Sequence, residues 1–319
     1  MKYIIFTLKK LYKKLFSQRI GSRYTYANAQ YEYQVASDMI YTILMNEKPS
    51  MVARFGSIEL RCCETYQNIF SDKKLIKKIC DYITGKEEPY FWSEEIISSM
   101  KNNTGFFSSN PEQLELFSKE MIKAMENVDI LGSWLDHEKH FFDNLSHAKF
   151  VRLPDLEPYF HQDPWTKALE NKTVLVIHPF VDTIKKQYEK KDLLFSNKNV
   201  LPDFKLKTLK AIQSIAGNIP DYDDWFSALE SMKKDIKNMD FDIAIIGCGA
   251  YGFLLADYVK SIGKKAVHLG GATQLLFGIK GKRWENRPEI SCFFNENWVY
   301  PDESEYPSNY KKIENGAYW

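Results

Sequence analysis

FDIAIIGCGAYGFLLADYVKSIGKKAVHLGGATQLLFGIKGKRW, residues Phe241 to Trp284, sets two apolar runs on either side of a glycine-rich turn and an amphipathic stretch. Phe241 to Ile246 is short, rich in β-branched residues and bounded by glycine, the pattern of a strand buried on both faces. Gly247-Cys248-Gly249-Ala250-Tyr251-Gly252 follows at once. From Tyr251 to Ile262 the apolar positions Leu254, Leu255, Tyr258, Val259 and Ile262 recur at helical spacing, and Gly263 ends the helix. Lys265 to Leu269 is a second strand, and a crossover of this length suits a parallel pairing.

Gly247, Gly249 and Gly252 fit the G-x-G-x-x-G turn, in which backbone N–H groups approach a diphosphate at a helix N-terminus. A dinucleotide site also needs an acid about 20 positions further on to hold the ribose. His268, Leu269, Gly270 and Gly271 stand there instead, which argues against a nicotinamide cofactor and leaves a phosphate or nucleotide open. The alternative is that the glycines serve only tight packing of strand on helix. Lys280, Lys282 and Arg283 then cluster around Gly281 beside Trp284, where cations could neutralise a diphosphate and the ring offers a stacking face.

Outward from this unit the chain alternates strand and helix patterns. Strands are expected at Met51 to Phe55, Val128 to Leu131, Lys149 to Leu153, Thr173 to Ile177 and Phe204 to Ile215, and helices at Tyr24 to Asn46, Leu75 to Ile83, Pro111 to Asn127, Asp182 to Lys190 and Trp225 to Lys237. The class is α/β: a Rossmann-like, mostly parallel sheet with helices on both faces. From Pro288 onward, with Trp298 and Trp319, an irregular tail should wrap the surface. Residues 23–319 are read as one such domain, with the nucleotide-binding unit at 241–284.

Candidate chemistry lies at strand ends. Arg54 and Glu59 flank the turn at Gly56 where ligands of α/β proteins bind, although an Arg and a Glu this close in sequence also form ion pairs. Asp155 and Glu157 sit in a proline-bracketed loop after a strand, suited to positioning a carboxylate, although merely solvating the loop is the simpler reading. His178 ends a buried strand, where a structural role is the simpler reading. Asp136, His137, Glu138 and His140 suggest a metal, but no second ligand pair has diagnostic spacing, which argues against zinc.

The chain of 319 residues is 44% hydrophobic, with Lys+Arg 43 against Asp+Glu 42 and a formal net charge of +1, so bulk charge calls for no nucleic-acid partner. Cys62, Cys63, Cys80, Cys248 and Cys292 lack paired spacing and fit reduced thiols of a cytoplasmic protein. Basic charge is local: residues 1–20 carry Lys2, Lys9, Lys10, Lys13, Lys14 and Arg19 without an acid. Ile4, Ile5, Leu8, Leu11, Tyr12, Leu15 and Phe16 share one helical face there, so residues 1–22 are read as a basic amphipathic segment. It suits an anionic membrane surface, the inner face of the cell membrane, unless it packs on the body of the protein.

Ala53-Arg54-Phe55-Gly56-Ser57-Ile58-Glu59-Leu60, with the glycine-rich β-α-β unit, resembles bacterial glycosyltransferases of the GT-D fold type that assemble surface polysaccharides and glycoprotein glycans. In that family an Arg-Phe-Gly-Asp-x-Glu segment holds a divalent metal against the sugar nucleotide. Ser57 stands at the aspartate's position and Glu59 matches the glutamate. The resemblance therefore implies a nucleotide-diphosphate sugar donor and a glycan or lipid-linked acceptor. It leaves open whether Glu59 holds Mn²⁺ or Mg²⁺, or whether Lys282 and Arg283 neutralise the diphosphate instead. The general base is left among Glu59, Asp155 and Glu157. An oxidoreductase and a non-catalytic nucleotide- or glycan-binding scaffold are the competing readings.

Overall fold

A computed structural model describes residues 2–16, 24–218, 220–312 and 316–319. Its centre is a seven-stranded sheet, with strands β1 (Ser50–Ala53), β2 (Ile130–Ser133), β3 (Lys149–Arg152), β4 (Thr173–His178), β5 (Lys205–Lys210), β6 (Ile243–Ile246) and β7 (Lys265–His268) in the order β3-β2-β1-β7-β6-β4-β5. Every neighbouring pair is parallel. In β6 and β4 successive residues alternate between two cores: Ala244, Ile246, Leu175 and Ile177 face one, and Ile243, Ile245, Val174 and Val176 the other. That is why these strands read as unbroken apolar runs rather than alternating ones.

Helices cover both faces. One layer receives Leu254, Leu255 and Val259 of α9 (Tyr251–Ser261), along with apolar residues of α3 (Ser57–Phe70), α5 (Glu94–Asn103), α6 (Pro111–Met125) and α8 (Trp225–Lys237). Trp225 of α8 stacks on Tyr251 with centroids 4.5 Å apart and ties α8 to the glycine-rich turn. The opposite layer receives Ala36, Ile40 and Leu44 of α2 (Tyr33–Met45) and Ile184 of α7 (Val181–Tyr188). Burying each leucine, isoleucine and valine among these contributes roughly 1.5–3 kcal/mol before entropy is counted.

Several boundaries differ from expectation for identifiable reasons. The first helix of the body starts at Tyr33 rather than Tyr24, because Thr25, Gln30 and Tyr31 give their N–H groups to carbonyls of Trp134 and Phe150 and extend the sheet edge. The turn at Gly56 is the N-cap of α3, a helix not expected from the sequence, and α5, also unexpected, forms behind the side-chain cap of Ser93. The expected strand 204–215 stops at Lys210, after which the chain turns across the carboxyl edge of the sheet. The segment after Pro288 is more than a surface wrap: Trp298 and Trp319 are each 3% exposed and belong to the second core.

Helix α1 (Lys2–Phe16) docks beside α4 (Leu75–Thr84), with Phe6 edge-on to Tyr82 and Phe91 and the Lys9 ammonium 3.6 Å from the Tyr82 centroid. Ile5 is buried, whereas Ile4, Leu8, Leu11 and Leu15 stay exposed. The remainder of the basic segment, residues 17–22 with Arg19, lies outside the described residues. Among the described residues no helix is long and apolar enough to cross a membrane.

Candidate active site at the carboxyl edge

The carboxyl ends of β1, β7, β6 and β4 deliver Arg54, His268, Gly247 and His178 to one pocket. Chain order reverses in this part of the sheet, where open α/β sheets leave a crevice. The N-terminus of α3 contributes Ser57 and Glu59, the α5–α6 connection Asn103 to Gly105, the stretch after β5 Ala211 to Ile215, and the far end of the chain Arg283, Tyr318 and Trp319.

Arg54 is the central cation. Gly270, with φ +61°, makes room for it: a Cβ there would stand 3.2 Å from Arg54 Nη1. Burial draws the Arg54 pKa down, while Glu59, the strongest of its favourable partners, draws it up. Glu59 is held up by burial against the pull of its own backbone N–H and of Arg54. Its carboxylate folds back over Gly56, so close that a Cβ on that residue would fall 1.9 Å from Oε2. His178 and His268 are both buried and depressed to about 3, so both are neutral at pH 7. His178 Nδ1 accepts from the Phe180 N–H at 3.0 Å, which puts the imidazole proton on Nε2 and makes that atom a donor.

The glycine-rich turn is more committed than its sequence suggests. Gly247 N–H donates to Ile177 O, Ala250 N–H to Thr104 O at 3.2 Å, and Gly252 N–H to Gly249 O. Gly249 has φ +58° and Gly247 abuts Gly270 O at 2.5 Å from a virtual Cβ, so both are required by the backbone. Gly252 does not line the pocket; its missing side chain admits the His268 ring, with Nε2 2.4 Å from where a Cβ would stand. Gly270 and Gly271 do line it, Gly271 beneath the Tyr318 ring.

Of the basic cluster, Arg283 lines the pocket, its guanidinium 4.8 Å from the Tyr318 centroid. Lys280 and Lys282 do not; Lys280 lies 5.0 Å from the Tyr300 ring. Asp155 is engaged elsewhere, accepting from Arg152 at 2.9 and 2.8 Å and from the Tyr33 N–H at 2.9 Å. Glu157 is bonded to the Tyr159 hydroxyl and acts on Arg54 from outside the pocket lining. Gln274 had no signal in the sequence. Its Nε2 donates to Lys280 O at 3.0 Å and Tyr318 O at 3.2 Å, binding the basic wall to the sheet edge.

Among the described residues Glu59 is the one acidic side chain lining the pocket, and Ser57 adds a hydroxyl. With Arg54 and Arg283 beside them, these groups fit an anion better than a hard cation, which prefers several charged or carbonyl oxygens. A preformed Mn²⁺ or Mg²⁺ site is not what this donor set provides.

The GT-D fold-like domain family matches residues 32–276, from the start of α2 to beyond β7. The chain belongs to this family. As a GT-D protein it is a glycosyltransferase, so the oxidoreductase and scaffold readings fall. The GT-D match ends before Arg283, Tyr318 and Trp319, so one wall of the pocket lies beyond it. The solved structure of a glycosyltransferase (DUF1792) from Streptococcus sanguinis is similar over 88% of this chain and 98% of that one, at 14% identity and a TM-score of 0.42. No curated protein matches the chain.

Proposed function

We propose that this glycosyltransferase transfers a sugar from a nucleotide-diphosphate donor bound in the carboxyl-edge pocket, with Arg54 and Arg283 neutralising the departing diphosphate. The observation that carries the reading is the presence of these two guanidinium groups in a pocket lined by a single acidic side chain. Arg offers planar, bidentate hydrogen bonding to phosphate, and fixed charge aimed at a leaving group is the larger part of such catalysis. Glu59 acts as the general base toward the acceptor hydroxyl. Its burial raises its pKa and so its basicity, and it touches the same pocket. The donor brings its own ligands to any divalent ion, which is then recruited with the donor rather than held beforehand. A growing surface glycan or lipid-linked acceptor fits a protein stationed at a membrane.

That station is α1. Ile4, Leu8, Leu11 and Leu15 form an exposed stripe at helical spacing, flanked by exposed Lys10, Lys13 and Lys14. An apolar face with cations at its margin suits the headgroup boundary of an anionic inner-face membrane.

Thermal-shift screening against a panel of nucleotide sugars, with and without Mn²⁺, tests the donor assignment. A ligand at about 100 times its Kd stabilises by roughly 2.7 kcal/mol, and one nucleotide family should do so. No shift with any nucleotide diphosphate or its sugar would remove the assignment.

A further inference from the structure

Three metal-ligating side chains meet outside the lining of the active-site pocket. Glu64 is buried on α3, five residues after Glu59 and therefore on another face of the helix. His137 and His140 lie on the 3-10 turn Asp136–Phe141 that follows β2. His137 Nδ1 is 2.5 Å from Glu64 Oε2, and His140 Nε2 is 3.9 Å from Glu64 Oε1. The three donor atoms lie within 4.8 Å of one another.

The other acids of this region have separate duties. Glu138 accepts from the backbone of Trp134 and Leu135, and Asp136 pairs with Lys139. Glu64 is oriented by the Glu88 N–H, which donates to Oε1 at 2.8 Å, and Arg61 in turn grips Glu88 at 3.0 Å. A ligand carboxylate held by such outer contacts is typical of built metal sites. His140 Nε2, by contrast, is buried with no hydrogen-bond partner. A Glu64–His137 hydrogen bond alone leaves that atom unexplained, whereas a shared ion accounts for all three donors.

We propose that Glu64, His137 and His140 bind a divalent transition-metal ion, zinc by ligand type. Two imidazoles and a carboxylate form a three-residue set that keeps a fourth position for water, and imidazole selects against Mg²⁺, Ca²⁺ and Mn²⁺. A cleft lined by Tyr24, Ser57, Arg61, Glu88 and His137 gives access. The ion clips α3, which carries Ser57 and Glu59, to the turn that follows Trp134, and so braces two walls of the active-site pocket. It is distinct from any ion that arrives with the donor.

The test uses the full chain stripped with chelator. Zinc is titrated in competition with a chromophoric chelator, and Co²⁺ is followed by its visible absorption. The wild type is expected to take up one equivalent of Zn²⁺ and to give Co²⁺ the intense bands of a four- or five-coordinate ion. His140→Ala should weaken zinc binding by more than about 100-fold, beyond the loss of an outer-shell partner. Zinc should raise the melting temperature of the wild type and leave that of His140→Ala unchanged. Glu59→Gln should keep the zinc affinity. Absence of one-equivalent uptake by the wild type, or wild-type affinity in folded His140→Ala, would overturn the site. Loss of zinc binding in Glu59→Gln would do the same by assigning the ion to the donor pocket. Glu64→Gln, if it folds, is expected to lose zinc as His140→Ala does, and retention would count against the site.

Discussion

Glu157 has its carboxyl pushed up to about 7 by burial, against the pull of the Tyr159 hydroxyl and Arg54. The folded protein therefore binds this proton more tightly than the unfolded chain, whose carboxyl titrates near the ordinary 4.5. Its favourable contribution is fully present below that ordinary value and is lost as pH rises through about 7. Glu157→Gln keeps the size and an acceptor for Tyr159 but has no charge to bury. Its stability relative to wild type should grow between about pH 5 and about pH 8, reaching roughly 1–3 kcal/mol. Chemical denaturation at the two pH values reads this directly, and an unchanged difference would mean that Glu157 ionises freely. Glu59→Gln behaves differently, because Glu59 lines the carboxyl-edge pocket. Transfer should fall by about 10²- to 10⁴-fold while stability changes by less than about 1 kcal/mol. A large loss of stability with it would make Glu59 a cap of α3 rather than a base.

Helix α1 has one packed side and one exposed side. Ile5 and Phe6 hold it against α4, so truncation would uncover Tyr82 and Phe91, whereas Leu11 and Leu15 touch solvent. Leu11→Glu with Leu15→Glu should leave thermal unfolding unchanged and weaken sedimentation with anionic vesicles by more than about tenfold, since each buried leucine contributes about 1.5–3 kcal/mol. Undiminished vesicle binding would deny the membrane role. The same contrast explains what could be read in advance. Strands β4 and β6 were legible because both faces are buried and every residue is apolar. Helix α8 was legible because its apolar face repeats between Asp224, its side-chain cap, and Lys237. Helix α3 was hidden: its first turn lies against the pocket, and Cys62, Cys63, Glu64 and Thr65 are buried in succession, so its apolar period is blurred. At the site, Arg54 and Glu59 could be named because motif and strand end coincide. Glu64 could not be joined to His137 and His140, since their meeting depends on α3 packing against a turn more than 70 residues away.

Across the whole molecule, the parallel sheet gathers residues from nearly the full length of the chain at its carboxyl edge. Arg54 comes from the first strand, Gly247 and His268 from the sixth and seventh, and Arg283 and Tyr318 from the segment that Gln274 fastens over them. Under the proposed function the diphosphate charge falls to two arginines that meet only in the fold. Calorimetric titration of the nucleotide diphosphate selected by the donor panel, in excess EDTA, into wild type and Arg283→Ala measures this most directly. The wild type should bind without a metal, and Arg283→Ala should bind about 10- to 150-fold more weakly, the 1.5–3 kcal/mol typical of a hydrogen bond to a charged group. Equal affinity in the folded variant, or binding by the wild type only when Mn²⁺ is restored, would contradict diphosphate neutralisation by Arg54 and Arg283.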